Sequence, residues 1–149
     1  MFRGRVDNKG LPPPADFQDK VSEFGLAQFR LNLRTFTDLC RNIEARPVLL
    51  VQPSLVTLDN ESDVRERVAY NWVLMTHRAV YDAFLECKQA MHATSTEKSC
   101  AVWDFTNGFE GRSEYFVDHV HLSRAGSVAF ARLVADSVIQ ELESLGVHR

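Results

Sequence analysis

Pro47-Val48-Leu49-Leu50-Val51-Gln52-Pro53 opens on a helix breaker, runs through four consecutive apolar residues and closes on a second proline. A short unbroken apolar run of this kind belongs to a parallel strand buried on both faces, because an exposed face would demand alternation. Cys100-Ala101-Val102-Trp103-Asp104-Phe105 has the same character and ends near an acidic residue. It is the second expected strand.

Between and around these runs the periodicity is helical. From Asp16 to about Ala45, Phe29, Leu33, Phe36, Cys40 and Ile43 recur at three- and four-residue steps, which predicts a long amphipathic helix with Gly25 as a break point. Asp63 with Glu66 three residues on resembles a capping box and predicts a helix to about Met91, with Val64, Val68, Trp72, Met75, Ala79 and Ala83 on one stripe. A polar turn is expected over 92–99. Ser123 can cap a last helix to about Leu145, whose Val128, Ala131, Leu133, Val134, Val138 and Leu142 predict a wide buried face.

Residues 1–15 carry Gly4, Asn8, Gly10 and the run Pro12, Pro13, Pro14, so an extended lead-in is expected there and a single domain over 16–149. The order helix, strand, helix, strand, helix predicts an α/β fold with a parallel sheet and right-handed crossovers. Two strands alone leave an open edge and cannot cover three long helices, so further strands are expected ahead of Met1.

The 149 residues are 45% hydrophobic and 25% charged, the balance of an ordinary globular chain. A net charge of -3 with both signs interspersed gives no basic face, so nucleic acid is not an expected partner. No apolar stretch is long enough to span a bilayer. Cys40, Cys87 and Cys100 are widely spaced within apolar patterns and read as reduced core residues. No cofactor is implied.

The richest chemistry lies in Tyr115-Phe116-Val117-Asp118-His119-Val120-His121-Leu122-Ser123-Arg124-Ala125-Gly126. An acid stands three residues before a histidine, just ahead of a helix. The helix dipole favours the neutral imidazole there, and a carboxylate on the same turn can hold one ring nitrogen protonated while offsetting charge that develops on the base. His119 between them raises a three-ligand metal reading, but three ligands on one short turn rarely converge, and no metal is expected.

This stretch resembles the closing motif of the SGNH/GDSL hydrolases, in which Asp-x-x-His precedes the C-terminal helix and a glycine follows; Asp118, His121 and Gly126 match. The resemblance extends over roughly residues 16–145, through the helix and strand at 29–53 and the strand at 101–105. It implies a three-layer α/β/α, flavodoxin-like sheet of five strands, of which these would be the last two. It also implies ester hydrolysis through an acyl-serine, with His121 as base and then acid and Asp118 as its partner. The family's Gly-Asp-Ser nucleophile segment occurs nowhere in the chain, and Gly4 and Asn8 have the wrong spacing for its oxyanion residues. Without a hydroxyl to activate and donors for the oxyanion, Asp118 and His121 form half a site.

Ser54, just past the first strand, is the best local substitute for the nucleophile, but no glycine elbow surrounds it and an ordinary loop serine is the preferred reading. His77 and His92 read as helix-surface or helix-end residues, and Trp72 and Trp103 as core aromatics. The chain is therefore expected to be the C-terminal portion of an ester hydrolase, inactive alone, whose complete site would take a small-molecule, carbohydrate or lipid ester. The alternative is a non-catalytic binding or assembly module on the same scaffold, hiding its open sheet edge by self-association.

Overall fold

The computed structural model describes residues 16–146. The expected lead-in over 1–15 lies outside them. Five helices and two short strands follow in the order α1 (Glu23–Asn42), β1 (Val48–Leu50), α2 (Ser62–Arg65), α3 (Tyr70–Val73), α4 (His77–Lys98), β2 (Ala101–Trp103) and α5 (Arg124–Ser144). Two single 3₁₀ turns, Thr106–Gly108 and Ser113–Tyr115, lie between β2 and α5. The strands pair in parallel with Val48 opposite Ala101, Leu49 opposite Val102 and Leu50 opposite Trp103. The fold is α/β, and among the described residues the sheet has these two strands only.

Helix α1 starts seven residues later than the periodicity suggests. Ser22 caps it, its Oγ accepting the amide hydrogen of Gly25, so the glycine sits in the first turn and interrupts nothing. Its buried seam is Leu26 and Thr37 with half-buried Phe29, Leu33 and Cys40, facing α4. Phe36 and Ile43, expected on that seam, are exposed, Ile43 to 76%. Ion pairs Arg34–Glu97 at 2.7 Å and Asp38–Lys98 at 2.8 Å tie the two helices at their rim. Being solvated, they set orientation more than stability.

The single helix expected from Asp63 to Met91 is three. The Asp63–Glu66 capping box does not form: Glu61 takes the N-cap position of α2 and makes no side-chain cap bond. Leu74 turns left-handed at φ 52°, ending α3, and a backbone bridge follows in which Gln18 N–H donates to Leu74 O (2.8 Å) and Thr76 N–H to Gln18 O (3.0 Å). Thr76 then caps α4 through Ala79 N–H, 3.3 Å. Tertiary pairing with the strand-like segment at Gln18 overrides local helix preference here, and Trp72, expected in the core, is 80% exposed as a result. At the other end α4 runs through the expected turn at 92–99 to Ser99, which ends it at φ 46°.

Ser123 caps α5 as its position suggests, its Oγ accepting Gly126 N–H at 3.1 Å. The wide buried face does not follow. Gly126 is buried and Ala129, Phe130 and Val134 are half-buried, while Val128, Ala131, Leu133, Val138 and Leu142 are exposed. The helix is apolar nearly all round and uses one narrow stripe.

The core sits beyond the C-terminal ends of the strands. Leu55, Phe109 and Phe116 form one buried cluster, packed by Phe105, Tyr115, Leu122 and Phe130. Phe130 stands edge-on to both Phe105 and Phe109, with ring centroids 5.8 and 5.6 Å apart, a geometry that aligns positive ring edges with negative faces. Val56, Val68 and Val80 form a second cluster with Tyr70, Met75, Tyr81 and Phe84. Between them these clusters fix the loops that follow β1 and β2. Cys40, Cys87 and Cys100 are free thiols, partly rather than fully buried.

Candidate functional site

Asp118 and His121 stand together on a tight loop closed by a bridge between Phe116 and Leu122. Val117 N–H donates to His121 O at 2.8 Å and Ser123 N–H to Tyr115 O at 2.8 Å, so the chain returns on itself within six residues. The Asp118 carboxylate is the loop's internal brace. Its Oδ1 accepts the amide hydrogens of Val120 (2.9 Å) and His121 (2.8 Å), and its Oδ2 lies 2.7 Å from His121 Nδ1. A neutral imidazole therefore donates from Nδ1 and leaves Nε2 as the acceptor. That nitrogen has no hydrogen-bond partner among the described residues, and the His121 side chain is 76% exposed.

Burial by itself would raise the Asp118 carboxyl, but the two backbone amides and the imidazole outweigh it and hold the group below its ordinary value. The carboxylate is thus charged throughout the neutral range. An imidazole so placed can take a proton at Nε2 while the charge it gains is met at Nδ1.

The loop is held from three sides. Arg67 donates from its guanidinium to the Ser113 carbonyl (3.2 Å) and to the Phe116 carbonyl. Gln52 Nε2 donates to Val120 O at 3.4 Å, Leu55 N–H to His119 O at 3.0 Å, and Ser54 Oγ to His119 O at 3.2 Å. The third side is α5, whose Gly126 lies against Tyr115. A Cβ built at Gly126 would stand 2.1 Å from the Tyr115 carbonyl oxygen, so only glycine allows this approach. The glycine in the motif thus has a physical reason.

Ser54 is buried and spent on structure. Its hydroxyl donates to His119 O and accepts Val56 N–H at 3.0 Å. His119 turns inward, 12% exposed at the side chain, where its Nδ1 accepts Ala69 N–H at 3.4 Å. Burial lowers its imidazole from the ordinary value, against a weaker opposing pull from Asp118. His119 and His121 therefore diverge, and among the described residues no three His, Cys, Asp or Glu side chains gather as metal ligands would. His77 lies between the Tyr70 hydroxyl (2.6 Å from Nδ1) and the Thr57 carbonyl (2.7 Å from Nε2). It stands at the first position of α4, a helix end as expected, and there links the Tyr70 side chain to the Thr57 backbone.

A second polar assembly was only hinted at by the acidic residue ending the apolar run of β2. Asp104 Oδ1 accepts from Thr106 Oγ1 (2.6 Å) and Thr106 N–H (3.0 Å), and its Oδ2 faces Lys88 Nζ (3.0 Å) and His92 Nε2 (3.2 Å). Burial would raise its carboxyl, but these four donors hold it well below the usual carboxylate range. Arg67, Gln52 and Lys88 carry no local sequence signal of their roles, since each acts on a segment far away in the chain.

Among the described residues no helix is long and apolar enough to cross a membrane. No family model, no curated protein and no solved structure matches this chain.

Proposed function

We propose that Asp118 and His121 are the acid and base half of an SGNH/GDSL-type ester hydrolase site, on the last two strands of a three-layer, flavodoxin-like α/β/α sheet. His121 Nε2 is the base that takes a proton from a serine and returns it to the leaving alcohol, and Asp118 holds Nδ1 protonated. The observation that carries this reading is the 2.7 Å contact between Asp118 Oδ2 and His121 Nδ1 with Nε2 left open. The serine and the oxyanion donors come from outside the described residues, on a strand seated against the free edge of β1. Alone the chain is expected to be inactive toward esters.

Labelling with a fluorophosphonate tests this. The chain alone should take no label, because Ser54 is buried and engaged. Co-expressed with the Gly-Asp-Ser-bearing front segment of an active SGNH hydrolase, it should make the segment's serine reactive, and His121→Asn should remove that reactivity. Label on Ser54, or labelling of the segment equal with and without this chain, would overturn the proposal.

A second reading has its own support. Leu50 on β1, Leu39 and Ile43 on α1, and Val138, Ile139 and Leu142 on α5 are exposed apolar side chains, and β1 has an unpaired edge among the described residues. Such surface favours a binding or assembly module that hides its edge against another chain. Sedimentation of the purified protein separates the two: a stable dimer without any esterase complementation supports the module.

A further inference from the structure

A cleft of about 230 Å³ opens where both strands end, in the direction their carboxyl ends point. Gln52 and Ser54 follow β1 on one wall, Thr106 and Glu110 follow β2 on another, and Tyr81, Phe84 and Lys88 of α4 close the third. Open α/β sheets bind their ligands in this place, because loops leaving adjacent strands diverge and leave a crevice. None of the residues 115–122 lines the cleft, so it is distinct from the imidazole and stands whether or not the esterase reading does.

The wall chemistry selects the ligand. Lys88 spends two of its three hydrogens on Asp104 Oδ2 (3.0 Å) and Thr106 Oγ1 (2.7 Å), which fixes the ammonium and leaves one donor for the cleft. Asp104 cancels its charge, and Glu110 adds a negative one, so a carboxylate or phosphate is disfavoured; a cation would meet the Lys88 ammonium. The Tyr81 hydroxyl and the Glu110 carboxylate make no hydrogen bond with any other described residue. The lining thus combines donors and acceptors with the apolar side chains of Phe84, Leu85 and Val56. Hydroxyl groups on a ring are each donor and acceptor and leave C–H faces for an aromatic side chain. The volume is below the roughly 300 to 1,000 Å³ of drug-sized pockets and admits one ring.

We infer that this cleft is a binding site for a neutral, polyhydroxylated ring of monosaccharide size, held by Lys88, Glu110, Tyr81 and Gln52 over Phe84. Occupancy reaches the Asp118–His121 loop through Gln52 and Ser54, which hold the Val120 and His119 carbonyls.

Amide chemical shifts of the labelled protein, titrated separately with D-glucose, D-galactose, D-mannose, sodium acetate and methylammonium chloride, test the assignment. At least one sugar should give saturable shifts at Gln52, Lys88, Thr106 and Glu110, with smaller ones at Val120. Glu110→Gln and Tyr81→Phe, neither of which removes packing volume, should each weaken that binding at least threefold while unfolding midpoints stay unchanged. Saturation by acetate or methylammonium but by no sugar would overturn it. So would the absence of saturable shifts with all three sugars, or sugar binding that neither substitution weakens.

Discussion

Gly126→Ala is the sharpest probe of how the site is held. A Cβ there would lie 2.1 Å from the Tyr115 oxygen, 2.9 Å from its carbonyl carbon and 3.1 Å from its Cα. The obstacle is backbone, which cannot rotate away as a side chain could. Restoring ordinary contact requires the first turn of α5 to retreat by about 1 Å. That movement strains the two bonds joining the helix start to the loop, Ser123 N–H to Tyr115 O and Ser123 Oγ to Glu114 O, both 2.8 Å. It also draws Phe130 from its edge-on seat against Phe105 and Phe109. Overpacking of this kind costs about 1–3 kcal/mol, and weakening two hydrogen bonds adds about 1–2 kcal/mol. Alanine's better helix propensity returns about 1 kcal/mol, leaving a loss of about 1–4 kcal/mol. Urea unfolding followed by circular dichroism measures it, with Gly108→Ala as the control, since nothing lies within 4 Å of a Cβ built there. If Gly126→Ala were as stable as the parent or more so, the close approach of α5 to Tyr115 would be wrong, and with it the account of how the loop is placed.

Asp118→Asn keeps an acceptor for the two backbone amides but presents an N–H₂ to Nδ1. The His121 ring should change from the Nδ1–H to the Nε2–H tautomer, visible in imidazole nitrogen shifts at neutral pH; an unchanged tautomer would sever the pair. Thr76→Ala removes the N-cap of α4 and should cost about 1 kcal/mol in the same urea assay, whereas a continuous helix from Asp63 would lose nothing. Asp104 and Asp118 both have folded-state values below their ordinary 3.8, so the unfolded chain binds more protons in the window beneath that value. The stability they contribute is therefore full above about pH 4 and falls as pH drops, and Asp104→Asn should flatten the acid limb of stability against pH. His119 is depressed too, so its contribution is complete above its ordinary 6.5 and declines as pH falls below it; His119→Gln should remove that decline.

Features that depend on local pattern are legible in the chain. Two unbroken apolar runs bounded by proline or polar turns became the parallel pair, and Ser123 with its following apolar residues became α5, because strand burial and capping are properties of a few adjacent residues. The Asp118–His121 pair was legible for the same reason: every bond orienting the ring within the loop is made by residues 117–121. What was missed depends on distant partners. Nothing near Leu74 announces that Gln18 will bridge to it and split a helix, and nothing near Arg67 announces that its guanidinium will cap the carbonyls at Ser113 and Phe116. The stripes on α1 and α5 misled because both helices are apolar over more of their circumference than the described residues cover. Periodicity then marks a face without saying which part of it is buried.

Those uncovered faces and the site argue in the same direction. The loop holds an imidazole with one nitrogen anchored and the other open, and in the proposed site a proton donor comes to that open nitrogen. The only serine at the end of β1, Ser54, gives its proton to a carbonyl instead. If the proposed esterase reading holds, the donor approaches from outside the described residues, and an approaching segment needs a seat. The unpaired edge of β1 offers backbone donors and acceptors in strand geometry, and Leu50 on that strand offers exposed apolar area. A segment pairing there as a parallel third strand would cover Leu50 and end beside the loop at the carboxyl end of β1. If the edge is the seat, Leu50→Lys should abolish complementation by the Gly-Asp-Ser segment while leaving the His121 tautomer untouched. If the tautomer changes as well, seat and site are not separable and the two-part construction fails.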